Sequence, residues 1–296
     1  MDRADPVGGW DERPVVITVA PTGAEVTRDD NPALPHTPAE IARDAAACAQ
    51  AGASVVHLHV REEDGAPSAR HELFTETVTL VRERSEMVTM VSTGGAVWMP
   101  MDERMAGLEA RPDMAGVETG SLNFGKEPFV TIPADARRVV ERAGALDIAL
   151  EAEMFDVGHV VQAVRMLERG ELPQPLRANL VFGVPGGIDA SPEALDAMLR
   201  LLPAGTYWSV TTAGRHQRRL LALALLRGAG GIRVGFEDGV YRRRGVLAAS
   251  NAELVADAVE LAERWVASSR RSTRRARSCR CRRQREIMAP VKARDA

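Results

Sequence analysis

Residues 55–61 read VVHLHVR, so His57 and His59 stand two positions apart inside a run of β-branched and aliphatic residues. Side chains alternate across a strand, which sends both imidazoles to one side and Leu58 to the other. Two nitrogens aimed in one direction suit a single divalent ion in the pattern of catalytic zinc, two histidines and one carboxylate; a hydrogen-bonded pair of core histidines is the competing reading. A third ligand must come from elsewhere in the chain.

Other groups able to do chemistry gather just after apolar runs. Glu25 lies in PTGAE; Ser92, Thr93, Gly94 and Gly95 form STGG; Thr119, Ser121 and Asn123 lie in ETGSLNF. Glu151 and Glu153 lie in LEAEMFD, and Arg233, Glu237 and Asp238 in GIRVGFED. Glu151 and Glu153 share one side of their strand, and two inward carboxylates are costly unless a cation or donor meets them, a need that Arg233 can serve. Simpler roles compete: Thr37 and Asp156 suit helix caps, His71 a helix start, and Thr119, Ser121 and Asn123 the satisfaction of loop backbone. The glycine pairs 94–95 and 186–187 could hold an anion on backbone amides, but neither continues into GKS or GKT, so an ATPase or GTPase loop is unsupported.

The elements that must position these residues alternate regularly. Strands are expected at 15–20, 54–60, 86–92, 114–119, 146–153, 177–184, 206–212 and 231–237. Helical patterns follow at 37–52, near 99–111, and at 71–84, 133–144, 157–170, 191–202, 216–228 and 251–268; the first opens on Thr37 with Glu40 three residues later. The strands read almost wholly apolar, as strands covered on both faces do, and the series predicts an α/β fold, a closed (β/α)8 TIM barrel. No GxGxxG follows the first strand, which argues against an open dinucleotide-binding sheet. In a barrel the loops after the strands build the site, so the polar groups above share one mouth. The eighth strand is separated from the second only by the first, which makes Glu237 the preferred third ligand and leaves His71 less attractive.

Apolar residues make up 45% of the 296, enough for a sizeable core. There is no run of eighteen apolar residues, and MDRADPVGGW lacks the apolar stretch of a signal peptide, so a cytoplasmic protein without membrane partners is expected. Cys48 reads as a small core residue, and Cys279 and Cys281 fall in an arginine-rich end, so no disulfide framework is expected. Residues 270–296 hold eleven Arg or Lys against two acids, while the formal net charge of the chain is −3, so the body is strongly acidic. The expected division is an N-terminal extension (1–13), a catalytic barrel (14–268) and a basic, disordered tail (269–296) with no specific nucleic-acid partner.

The ordered set PTGAE, HLHVR, STGG, GSLNFG, EMFDVGH and IRVGFED resembles the β-keto acid cleavage enzyme family. That resemblance implies a zinc-binding barrel, commonly a homotetramer, that converts a β-keto acid and acetyl-CoA into acetoacetate and a new acyl-CoA. Carried over by motif, it implies His57, His59 and Glu237 as zinc ligands and Asp238 as the base, with Arg233 and Glu153 orienting it and Glu151 as the competing assignment. It further implies that Glu25 faces a substrate amino group and that Ser92, Ser121 and Asn123 handle the substrate carboxylate. Two departures stand out: the family's usual EDN is EDG here, ending in Gly239, and the usual terminal helix is replaced by the arginine run. A zinc-dependent aldolase or hydrolase on the same barrel, which would not need acetyl-CoA, and a non-catalytic metabolite-binding barrel are the alternatives.

Overall fold

Eight parallel strands close on themselves in chain order: β1 (Val16–Val19), β2 (Val55–Leu58), β3 (Val88–Val91), β4 (Met114–Glu118), β5 (Ala149–Met154), β6 (Arg177–Phe182), β7 (Tyr207–Thr212) and β8 (Gly231–Val234). β8 pairs back onto β1 with Thr18 beside Arg233, so the sheet has no free edge. The computed structural model describes residues 14–266. The expected N-terminal extension, the basic tail with its two cysteines, and the last two residues of the helix expected at 251–268 lie outside the described residues.

Helices α1 (Pro38–Ala51), α2 (His71–Arg84), α3 (Met101–Arg104), α4 (Pro133–Ala145), α5 (Val157–Glu168), α6 (Pro192–Leu199), α7 (Gln217–Leu226) and α8 (Asn251–Val266) each follow the strand of the same number. Local chemistry sets their starts. Thr37 accepts from Glu40 N–H while the Glu40 side chain returns to the Thr37 N–H, a complete capping box, and Asp156 and Ser191 cap α5 and α6 through their side chains. Each such cap stabilises its helix by about 1 kcal/mol.

Two layers of apolar packing follow from strand alternation. Val56 and Leu58 join the main core between sheet and helices, where Cys48 is also buried, whereas Val55 packs with Val88, Met90 and Met114 in a separate cluster inside the barrel. His57, on the same side of β2 as Val55, therefore points into the barrel above that cluster. The interior plug is thus apolar at one end and polar at the other.

Several elements differ from expectation for definable reasons. The helix near 99–111 starts as α3 after Pro100 and tightens into a 3-10 segment over Met105–Ala110, where a Cβ at Gly107 would press on the Phe74 ring at 3.1 Å. The strand expected from 146 begins at Ala149, because Leu146 ends α4 and Asp147 turns the chain with φ 57°. β2 stops at Leu58, and Val60–Arg61 pairs instead with Pro67–Ser68. β8 stops at Val234, so Glu237 lies on a turn rather than a strand. Arg61, which reads as the charged end of a strand, is buried: it donates to the carbonyls of Thr22, Gly23, Val26 and Gly65 and to the Thr22 hydroxyl.

Candidate active site

The three expected ligands meet where β2 and β8 end. His57 Nε2 lies 3.8 Å and His59 Nε2 3.7 Å from Glu237 Oε1, the two imidazole centroids are 5.4 Å apart, and one ligand atom from each residue falls within 4.8 Å of the others. The turn after β8 produces this. Gly235 takes φ 143°, the N–H groups of Asp238 and Gly239 both return to the Gly235 carbonyl, and the backbone curls so that Glu237 and Asp238 face Arg233 together. On a continued strand they would have pointed to opposite faces.

Two neighbours lock that turn. Gly23 holds φ 58° with its absent Cβ only 2.5 Å from Glu237 Cγ, so the glycine of PTGAE makes room for the ligand carboxylate. Asn251, fully buried at the start of α8, accepts from Phe236 N–H at 2.8 Å and donates to the Pro21 carbonyl at 3.0 Å and the Asp44 carboxylate at 2.9 Å. The loops after β1 and β8 are thereby fixed to one another.

Arg233 is the hub. Its Nε and Nη2 donate to the two Asp238 oxygens at 3.0 and 2.7 Å, Nη2 also reaches Glu237 Oε1 at 2.7 Å, and Nη1 stands 3.6 Å from Glu153 Oε1. The bidentate grip fixes the plane of the Asp238 carboxylate. Burial alone would raise Glu237, but the Arg233 guanidinium opposes it and the carboxyl is held at about 2. Burial raises Asp238 to about 6 against the pull of Arg233, and raises Glu153 to about 8, where Glu118, Glu237 and Glu151 add to the effect and Arg233 opposes it. One ionised carboxylate, one near neutrality and one protonated at neutral pH surround a single guanidinium. Burial, helped by Arg233, also holds His57 well below the usual imidazole range, and burial lowers His59 despite Glu237, so both rings offer neutral lone pairs.

A cation fits this cluster. His57 Nδ1 and Glu237 Oε2 are buried without a hydrogen-bond partner among the described residues, and two neutral imidazoles with one carboxylate are the donor set of a catalytic site that keeps a position open for a substrate.

A cavity of about 200 Å³ opens over the cluster. Of the residues singled out by sequence, His59, Glu25, Ser92, Gly94, Gly95, Glu153, Arg233, Glu237 and Asp238 line it. His57 lies behind His59, and Glu151 lies deeper, accepting from Ser209. Thr93 is buried and donates to the Gly116 carbonyl, and Thr119 donates to the His159 carbonyl. Ser121 bonds the Thr131 backbone and Asn123 sits on an exposed hairpin (Leu122–Phe124 with Glu127–Phe129); neither lines the cavity. Sequence reasoning passed over Glu118, which lines the cavity beside Glu153 in register across β4 and β5, and Arg104, its buried partner. It also missed the apolar wall of Phe124, Phe129, Phe155, Val181 and Val184. The signal for Glu118 was present, since it sits two residues beyond Gly116 on the same strand face.

Known proteins bear on this geometry. The chain is 42% identical over 255 residues to a 3-keto-5-aminohexanoate cleavage enzyme of Fusobacterium nucleatum, covering 84% of this chain and 91% of that protein. It is 39% identical over 253 residues to the enzyme of the same name from Acetoanaerobium sticklandii, covering 85% and 92%. Among solved structures, the apo structure of ObcA superposes with a TM-score of 0.67 at 21% identity over 77% of this chain and 61% of that one, a likeness of fold. Residues 14–279 match the beta-keto acid cleavage enzyme family, and the chain belongs to that family.

Proposed function

We propose that the protein condenses a β-keto acid with acetyl-CoA, releasing acetoacetate and the acyl-CoA of the remaining fragment, with zinc held by His57, His59 and Glu237. The observation that carries this reading is the convergence of that ligand set with an Arg233-clamped Asp238 in one cavity. When bound, the ion supplies Lewis acidity to a ketone oxygen.

The chain's own groups do the rest. Asp238, near neutrality and fixed in plane by Arg233, accepts a proton from C2 of the keto acid. The enolate attacks the acetyl carbonyl and expels the CoA thiolate, which adds to the 3-keto carbon; the C2–C3 bond breaks, and Asp238 returns its proton to C2 of the leaving acetoacetate. Glu153, protonated at neutral pH, stands 3.6 Å from Arg233 without a hydrogen bond to it and adds no third anion to compete with Asp238 and Glu237 for the guanidinium. Phe129, Phe155, Val181 and Val184 exclude water from the enolate.

The relatives' names specify an amino-bearing keto acid, and Glu25 at the cavity rim suits a cationic substituent, so an amino-substituted β-keto acid is the first substrate to assay. Ser92 and the Gly94–Gly95 backbone are assigned to the substrate's polar end; Thr93, Thr119, Ser121 and Glu151 support the loops and strands that hold it, and Asn123 is exposed on the hairpin after β4. The reading includes a cytoplasmic homotetramer; no described helix is long and apolar enough to cross a membrane. Light scattering on the purified protein tests the tetramer. The activity is tested by incubating the protein with acetyl-CoA and β-keto acids of differing charge and reading acetoacetate and acyl-CoA by mass. Keto acid consumed without acetyl-CoA would instead identify an aldolase or hydrolase.

A further inference from the structure

His159 is buried in the first turn of α5, and no step of the proposed reaction uses it. Its imidazole reaches back past Asp156, the helix cap, to Phe155, the first residue beyond β5, where Nδ1 accepts from Phe155 N–H at 3.2 Å. The other nitrogen, Nε2, lies 3.1 Å from the Ser121 carbonyl in the loop after β4. A backbone N–H only donates and a carbonyl only accepts, so the ring that serves both is neutral, with its proton on Nε2. Burial, the largest influence on this ring, holds it below the ordinary imidazole range, in keeping with the neutral form.

The surrounding chain is shaped to this ring. A Cβ at Gly120 would stand 2.5 Å from His159 Cδ2, so the glycine of ETGSLNF leaves the space that the imidazole fills. The Thr119 hydroxyl donates to the His159 carbonyl at 3.0 Å, and the imidazole meets the Phe155 ring edge-on, with centroids 6.2 Å apart and planes at 67°. The Phe155 carbonyl in turn accepts from Ile188 N–H at 2.8 Å. The loops after β4, β5 and β6 are thus joined through His159 and Phe155, and those loops carry Phe124, Phe129, Phe155 and Val184 of the cavity wall.

We propose that His159 is a positioning residue for that wall, acting through Phe155 to keep the cavity closed over the reacting carbons so that the thioester and the CoA thiolate meet the keto acid and not water. This rests on the keto acid cleavage reading. Without the imidazole, Phe155 N–H is a buried donor with no acceptor, and the loop gains by moving to where water can reach it, taking the phenyl ring along. Two losses then open. Water attacks acetyl-CoA, giving acetate and free CoA, or the thiolate expelled by the enolate takes a proton from water and leaves as free CoA before it adds to the 3-keto carbon.

The test measures free CoA with a thiol reagent and acetoacetate by mass, from zinc-loaded protein given 3-keto-5-aminohexanoate and acetyl-CoA, in the wild type, His159→Asn, His159→Ala, Phe155→Ala and the double alanine variant. The ratio of free CoA to acetoacetate does not depend on how much of the protein is folded, so a merely structural role leaves it unmoved. His159→Ala is expected to raise the ratio about tenfold, the consequence of leaving one buried donor unpaired. His159→Asn, whose amide oxygen can stand in for Nδ1 as the acceptor, is expected to raise it less than about threefold. In the Phe155→Ala background, His159→Ala should add less than about twofold, because the two residues act as one unit. An unchanged ratio in His159→Ala, or its full effect in the Phe155→Ala background, would overturn the assignment. A wild type that forms no acetoacetate from this pair would instead remove the reaction itself, and this proposal with it.

Discussion

Replacing Glu237 by Gln isolates the charge of one ligand at nearly constant shape. Glu237 Oε1 takes a 2.7 Å bond from Arg233 and lies within 3.8 Å of both histidine nitrogens, while Oε2 has no partner among the described residues. The Arg233 guanidinium offsets burial and holds its pKa at about 2, below the ordinary 4.5, so the anion is the preferred form. Such a group, folded pKa below unfolded, adds stability that is present above the unfolded pKa and lost as pH falls through about 2, so at neutral pH the carboxylate is fully ionised. Gln keeps the bond to Arg233 through its carbonyl but offers no negative charge to the ion. Zinc affinity is expected to fall at least about 100-fold, more than is typical for losing an outer partner of a ligand. Competition against a chromogenic chelator, with thermal melting of the metal-free proteins as a control for folding, measures it. Affinity within about threefold of wild type, with unchanged melting, would refute the role of Glu237 as a ligand.

Other outcomes follow from the same contacts. Asp238→Asn should keep the metal, because Asp238 is not among the three clustered ligands, and lower turnover about 10²- to 10⁴-fold in steady-state assays; near-normal turnover would rule out this base. Gly23→Ala places a methyl 2.5 Å from Glu237 Cγ at a backbone φ of 58°, so zinc affinity should fall about tenfold or more in the same chelator competition. Asp44, raised to about 6 by burial, contributes stability that is present below its unfolded pKa of 3.8 and lost as pH rises through about 6. Asp44→Asn should therefore gain about 1 kcal/mol relative to wild type between pH 5 and pH 8 in denaturant melts, and a difference that does not change with pH would show that Asp44 does not titrate in this range.

The sequence carried the barrel because each strand is an apolar run bounded by glycine, proline or a cap, and the histidine pair because a two-residue spacing survives folding unchanged. What it hid was tertiary. Glu237 and Asp238 converge on Arg233 only because a turn at Gly235 replaces the last strand residues. Arg104 and Glu118 form a buried pair across fourteen residues and two elements, and no local pattern marks it. Ser121 and Asn123 read as site residues by their position after a strand, yet Ser121 is spent on the Thr131 backbone and Asn123 is exposed on a hairpin whose Phe124 and Phe129 line the cavity instead. Arg61 reads as the charged end of a strand, and single-sequence polarity does not reveal that backbone carbonyls of the loop after β1 will surround it.

Anomalous scattering at the zinc absorption edge, from crystals of the purified protein, addresses the ion directly. The expected result is one strong peak about 2.0–2.2 Å from a nitrogen of His57, a nitrogen of His59 and an oxygen of Glu237, absent from crystals of chelator-treated, inactive protein. A peak bound by other side chains, or full activity in protein whose crystals show none, would contradict the account.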